Sequence, residues 1–120
     1  MVVNVSNFSR NGLSDFLLQR LTAVVIATYV LCVLGFLWLN PGLTFVEWIS
    51  YMESIYMRIF SSLTLFSITA HAWIGMWTVS TDYLNEHHFR SFGHVFRWFF
   101  QLFVIVAILV YVLLGLWVIW

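Results

Sequence analysis

The chain has 120 residues, of which 62% are hydrophobic and 8% are charged, and its mean hydropathy is +0.95. Soluble domains carry about a quarter of their residues as charged side chains, so this composition indicates an integral membrane protein. The formal net charge is zero and lysine is absent, which gives no indication of nucleic-acid binding. One cysteine, Cys32, excludes an intramolecular disulfide and any metal motif built from cysteines.

The N-terminal dozen residues are polar and are not followed by a short apolar core with a small-residue cleavage site. We therefore expect no removable signal peptide, and we expect the first apolar segment to stay in the mature protein. Ser14 is a plausible N-cap for the first helix, and Asp15 then places negative charge in its first turn.

Three runs without a charged residue follow, at positions 21–39, 59–80 and 98–120. Each is longer than the roughly 18 residues that a helix needs to cross the hydrocarbon core. The runs are continuously apolar rather than alternating, which excludes a β-barrel. The sequence predicts an all-α integral membrane protein, a single domain over 1–120 with three transmembrane helices at about 14–39, 58–82 and 96–120.

The two connections differ in character. Pro41 and Gly42 end the first span, and the connection after them is amphipathic, with four apolar side chains able to lie against the membrane interface: Phe45, Trp48, Ile49 and Met52. The second connection, "DYLNEHHFRSFGHVFR", is polar and holds His87, His88 and His94. These histidines are more readily explained as solvated or packed residues than as metal ligands.

The arginines indicate the orientation. Two lie in the N-terminal segment and two in the second connection, against one in the first connection and none at the C-terminus. Because basic residues favour the cytoplasmic side, we expect a cytoplasmic N-terminus, a cytoplasmic Asp82 region and a periplasmic C-terminus. Five tryptophans are placed to anchor the spans at the membrane interfaces: Trp38, Trp48, Trp98, Trp117 and Trp120.

The second span carries a polar or small stripe on one face of its helical wheel. The stripe consists of Thr64, Ser67, His71, Gly75, Thr78 and Asp82. Serine, threonine and glycine alone are explained by helix packing, and hydroxyls at Ser61, Thr64, Ser67 and Thr69 can return to their own backbone.

His71 is the exception, because an ionisable side chain at membrane depth is costly and is a functional candidate by default. It could be a metal or haem ligand, a proton relay, or an interhelical hydrogen-bonding group. A relay normally has further acids or histidines at similar depth, and 59–80 has none. Space beside Gly75, one turn on, would suit a flat macrocycle, which favours haem. If two histidines hold that haem, the second must come from another polypeptide.

Asp82 and Tyr83 lie about 16 Å along the helix from His71. They are either a solvated helix terminus with an interfacial tyrosine, or a site where Tyr83 donates a hydrogen bond to a quinone carbonyl and Asp82 relays protons. Arg20 lies on the same side of the membrane. It is either a positive-inside anchor or a partner for Asp82 or a haem propionate.

The segments "RNGLSDFLLQRLTA" (10–23), "HAWIGMW" (71–77) and "TDY" (81–83) closely resemble a hydrophobic membrane-anchor subunit of bacterial succinate dehydrogenase, or respiratory complex II. The resemblance covers nearly the whole chain. It implies that His71 is an axial ligand of haem b, with the second histidine supplied by the other membrane anchor of the complex. It also implies that Tyr83 hydrogen-bonds ubiquinone, that Asp82 belongs to the same quinone and proton-delivery region, and that Arg20 lies near the haem propionates or the quinone.

The family further implies a heterotetramer with the flavoprotein, iron-sulfur and second anchor subunits, or a trimer of such heterotetramers, in the bacterial inner membrane. The chain would then contribute to electron transfer from succinate to ubiquinone without oxidising succinate itself. The second connection looks longer than in enterobacterial-type members, which leaves its contacts open. A fumarate reductase anchor and a purely structural anchor are the alternatives, while a small transporter is disfavoured by the single buried ionisable group.

Overall fold

The computed structural model describes residues 12–82 and 93–120, and these residues form four helices. They are α1 (Gly12–Leu39), α2 (Phe45–Glu53), α3 (Ile55–Asp82) and α4 (Gly93–Ile119). By length and composition, α1, α3 and α4 can each cross a membrane. The three predicted spans are confirmed, and each begins two or three residues earlier than predicted.

Helix α3 lies between α1 and α4 and contacts both. It is antiparallel to α1, because Thr22 lies beside His71 while Tyr29 lies beside Ser61. We call the end of the bundle where α1 begins, α3 ends and α4 begins the Asp82 end, and the opposite end the Asn40 end. In each of the three spans, at most 22% of the most apolar 18-residue stretch is buried within the chain. Most of the apolar surface is therefore available to lipid or to other helices.

The termini of α1 agree only partly with the sequence prediction. The helix ends at Leu39 as expected, where the side-chain amide of Asn40 donates to the Phe36 carbonyl at 2.8 Å. Gly42 follows with a φ of +82°, which other residues rarely adopt. At the other terminus, Ser14 is not the N-cap, because helical geometry already begins at Gly12 and places Ser14 inside the first turn. Asp15 does lie in that turn, as predicted.

The amphipathic connection contains the short helix α2. Thr44 caps it: the Thr44 hydroxyl accepts from the Glu47 amide at 3.3 Å, and the Glu47 carboxylate accepts from the Thr44 amide at 2.8 Å. These backbone and hydroxyl bonds hold the pKa of Glu47 below its ordinary value. The spacing of this capping box, threonine followed three residues later by glutamate, is visible in the sequence.

A stacked aromatic pair holds α2 against α1. The Phe36 and Tyr51 rings are nearly parallel, at 3°, with centroids 3.7 Å apart. The Tyr51 hydroxyl lies 3.3 Å from the Cys32 sulfur. Burial and then this sulfur contact raise the pKa of Tyr51 to about 12, so the phenol stays protonated at neutral pH. The side of α2 that carries Trp48 and Ile49 is thereby held toward the bundle.

Candidate functional site

The polar stripe on α3 changes character between Thr64 and Thr78, and His71 and Gly75 within it face α1. Thr64 and Ser67 are buried, His71 and Gly75 are half-buried, and Thr78 is exposed. The stripe therefore closes against the neighbouring helix toward the Asn40 end and opens toward the Asp82 end.

The hydroxyls around this stripe are mostly bonded within α3. Thr64, Ser67 and Thr69 donate to the carbonyl four residues earlier at 2.8 to 2.9 Å, as predicted. Ser61 differs, because its hydroxyl pairs with the Tyr29 hydroxyl of α1 at 2.8 Å. The hydroxyls thus act mainly in helix formation and packing, which leaves His71 as the group to be explained.

His71 is fixed by a threonine on α1. Its Nδ1 atom lies 3.3 Å from the Thr22 hydroxyl oxygen, and Thr22 is only 5% exposed. The same hydroxyl lies 2.8 Å from the Leu18 carbonyl and 3.0 Å from the Gln19 carbonyl. The hydroxyl has one hydrogen and two closer carbonyl acceptors, so its oxygen can accept a hydrogen bond from the imidazole tautomer that carries a proton on Nδ1. In that tautomer the lone pair lies on Nε2.

Gly75 lies one turn from His71 and faces the Gln19 side chain of α1. A Cβ built at Gly75 would meet a single other atom within 4 Å, the side-chain nitrogen of Gln19 at 3.6 Å. The other end of that carboxamide, Gln19 Oε1, is buried without a hydrogen-bond partner. An unpaired buried carbonyl costs about 1–3 kcal/mol, so the Gln19 side chain has hydrogen-bonding capacity that residues 12–82 and 93–120 do not use.

Arg20 projects from the exposed side of α1. Its guanidinium carbon lies 5.1 Å from the centroid of the Phe16 ring, a cation–π distance. The exposed guanidinium remains available to groups outside this chain. The alternative partners predicted for Arg20, namely Asp82 and a haem propionate, remain predictions.

The other predicted site residues lie at or beyond the edge of the described structure. Asp82 is the last residue of α3, and its side-chain environment is outside the described residues, as are Tyr83, His87 and His88. His94 lies in the first turn of α4, at the Asp82 end. There it lines an open cavity of about 540 Å³ together with other α4 residues that include Arg97, Trp98 and Gln101.

Sequence reasoning missed three polar side chains that face α3. Thr22 and Gln19 lie on α1, and Gln101 on α4 donates to the fully buried Ser80 hydroxyl at 2.9 Å. Each could have been noticed as a polar residue in or beside an apolar run. Their partners could not be read from the sequence, because they depend on how the helices are aligned against each other.

The donor set limits the metal chemistry available to the chain. Within residues 12–82 and 93–120, no three His, Cys, Asp or Glu side chains come together as a metal site. Among these described residues, His71 is thus a single candidate ligand and not part of a metal site built from three side chains.

No protein-family model matches the chain. A relative in Coxiella burnetii, the succinate dehydrogenase hydrophobic membrane anchor subunit, is 37% identical over 86 residues. The alignment covers 72% of this chain and 75% of the relative. The chain belongs to the family of succinate dehydrogenase hydrophobic membrane anchor subunits. The resemblance noted from the residue motifs is confirmed, and the three apolar helices agree with a multi-pass succinate dehydrogenase membrane anchor.

Proposed function

We propose that the chain is the membrane anchor of a succinate:ubiquinone oxidoreductase and that His71 forms half of a haem b site. The observation that carries this proposal is the contact between His71 Nδ1 and the Thr22 hydroxyl at 3.3 Å. Histidines that bind metals commonly donate their other ring nitrogen to a protein acceptor, which fixes both the tautomer and the ring orientation. With Nδ1–H donated to Thr22, the Nε2 lone pair is available to iron.

The residues around His71 fit a haem. The imidazole is half-buried on α3, and Gly75 on the same face has no side chain, so that only the end of the Gln19 side chain lies within 4 Å of where a Cβ would be. Haem iron supplies one-electron chemistry when it is bound there. His71 would supply one ligand to the iron, and Thr22 would orient its imidazole. Arg20, exposed at the Asp82 end, is a candidate to pair with a propionate.

A second histidine ligand for the iron would come from outside the described residues of this chain. We assign it to the second membrane anchor of the complex, whose helices would cover part of the apolar surface that α1 and α4 leave exposed. The flavoprotein and iron-sulfur subunits would complete a heterotetramer, which could assemble into a trimer. The chain would not oxidise succinate; it would anchor the subunits that do so.

Ubiquinone would bind at the Asp82 end. In this proposal the Tyr83 hydroxyl donates to a quinone carbonyl, and Asp82 delivers protons as the quinone is reduced. The distribution of arginines supports a cytoplasmic position for this end, with the N-terminus on the same side and the C-terminus in the periplasm. The chain would then lie in the bacterial inner membrane, with the soluble subunits docked at the Asp82 end.

The test is a His71→Ala substitution in the assembled complex. We expect the haem b absorption in the reduced-minus-oxidised spectrum to disappear or change, because Ala offers no ligand. Thr28→Val is the matched control on α1, because Thr28 is exposed and its hydroxyl serves only the Val24 carbonyl, at 2.7 Å. An unchanged spectrum in His71→Ala would refute the ligand assignment.

A purely structural anchor is the second candidate, and the same Thr22–His71 contact favours it. Side-chain hydrogen bonds between membrane helices contribute about 0.6 kcal/mol on average, so His71 could serve packing alone. That candidate predicts a purified complex without haem absorption and without inhibition by quinone analogues. The spectrum of the unmodified complex therefore decides between the two.

A further inference from the structure

Ser80 is the most completely buried of the described side chains that form a hydrogen bond between two helices. It has 0% exposure, and its hydroxyl accepts from the side-chain amide of Gln101 on α4 at 2.9 Å. The same hydroxyl donates to the Trp77 carbonyl at 3.1 Å. The three groups form a chain of hydrogen bonds with one consistent direction, from Gln101 through Ser80 to the backbone of α3. We call this chain of bonds the Ser80 bridge.

The Ser80 bridge lies close to the residues proposed to bind quinone. Ser80 precedes Asp82 by two residues, about 3 Å of helix rise, and Tyr83 by three. The Thr22–His71 contact on the α1 side lies nine residues earlier, about 14 Å along α3. Of the interhelical hydrogen bonds between described side chains of α3 and its neighbours, the Ser80 bridge is the nearest to Asp82.

Packing alone accounts poorly for this arrangement. Small side chains let membrane helices approach closely, and alanine or glycine would do so at position 80 without a polar group. The Ser80 hydroxyl is fully buried and the Gln101 carboxamide is half-buried, and polar groups in an apolar span are costly unless they are paired, so this pair restricts how the helices can be aligned. The bridge favours one alignment of α3 against α4, because slippage of either helix would break the bond from Gln101 to Ser80 and leave the Gln101 donor without this acceptor, although Ser80 would keep its bond to Trp77.

We propose that Ser80 and Gln101 are positioning residues for the quinone site, because their bridge fixes the last turn of α3 against α4. This inference rests on the proposed quinone role of Asp82 and Tyr83. Neither Ser80 nor Gln101 touches the quinone in this scheme. The bridge holds the last turn of α3, which ends at Asp82, against α4, so that this turn is pre-organised.

The test uses the intact complex with Ser80→Ala, Gln101→Leu and the double variant. Loss of an average membrane hydrogen bond, about 0.6 kcal/mol, corresponds to about a threefold change in an equilibrium constant. We expect each single variant to raise the KM for quinone and the Kd of a quinone-analogue inhibitor about threefold, with kcat changed less. The double variant should be no worse than either single variant, because both remove the same bridge.

Thr69→Val is the matched control on α3. Its half-buried hydroxyl donates only to the Leu65 carbonyl of its own helix, at 2.9 Å, so its loss should leave the KM for quinone unchanged. The set of assembled subunits and the haem spectrum are recorded for every variant.

An unchanged KM and inhibitor Kd in both single variants would overturn the positioning role. Equal effects in Thr69→Val, additive effects in the double variant, or failure of Ser80→Ala and Gln101→Leu complexes to assemble would also overturn it, since each indicates general loosening or a folding role. Failure of the proposed function is distinguishable. In that case Tyr83→Phe and Asp82→Asn would leave quinone reduction unchanged, whatever the bridge variants do.

Discussion

Replacing Thr22 with valine tests the assignment of His71 as a ligand without removing the imidazole. Valine has nearly the shape of threonine, so the 5% exposed position stays filled while the acceptor for His71 Nδ1–H is lost. An unpaired buried donor costs about 1–3 kcal/mol, and the imidazole escapes this cost by rotating or by moving its proton to Nε2. Either change leaves Nε2 less able to bind iron.

The expected size of this effect follows from the contact itself. Loss of a group that orients a metal-binding histidine usually lowers metal affinity 10- to 100-fold, which is about 1.4 to 2.7 kcal/mol. The 3.3 Å separation is long for such a bond, so we expect the lower part of that range, about 10-fold. Thr28→Val on the same helix removes a hydroxyl that serves only the Val24 carbonyl, and should have no effect.

The assay is the haem content of the purified complex together with the rate at which haem transfers to apomyoglobin. We expect Thr22→Val to lose haem faster than the unmodified complex and Thr28→Val to match it. Loss of haem from Thr22→Val at the unmodified rate, in a complex where His71→Ala removes the spectrum, would refute the tautomer argument. It would leave the ligand assignment intact.

Three further predictions concern packing, the short helix and the quinone site. Gly115→Ala should destabilise the complex in detergent unfolding by about 1 kcal/mol, the low end of overpacking costs, because a Cβ would come within 2.8 Å of the terminal carbons of Leu65 in α3, which must shift. Gly35→Ala, with nothing within 4 Å, should not destabilise it. Thr44→Ala should lower the free energy of opening of α2, measured by amide hydrogen exchange, by about 1 kcal/mol. The pKa of Glu47 is lowered in the fold, so the capping box stabilises α2 fully above the ordinary carboxyl pKa of 4.5. This stabilisation is lost as the pH falls through the lowered pKa. The destabilisation caused by Thr44→Ala should therefore be smaller in acid. Tyr83→Phe should lower quinone reductase activity and leave the set of assembled subunits unchanged.

The spans could be predicted because their signal is local. An uninterrupted apolar run is long enough to be recognised without any knowledge of its neighbours, and Pro41 with Gly42 marks the end of α1 in the sequence itself. The start of α1 was placed two residues late at Ser14, because a favourable capping residue need not be used when the preceding residues are already helical. The capping box of α2 was equally local and could have been recognised.

The partners of the polar residues could not be predicted in the same way. His71 stands out in the sequence because of its cost in an apolar span, yet its bond to Thr22 depends on the alignment of α3 against α1. The same holds for Ser80 and Gln101, which are 21 residues apart and meet only through the antiparallel packing of α3 and α4. Sequence patterns identify which side chains need a partner, and helix packing determines which partner each one finds.

The central position of α3 has a consequence for the order in which the protein is made. When α1, α2 and α3 have been synthesised, the contacts of Thr22 with His71 and of Tyr29 with Ser61 can already form. Ser80 can meanwhile keep its bond to the Trp77 carbonyl, so the helix need not expose an unpaired hydroxyl to lipid. Helix α4 is synthesised last and carries the carboxamide of Gln101. The hydrogen bond from this carboxamide to the Ser80 hydroxyl favours insertion of α4 alongside α3 in the correct alignment.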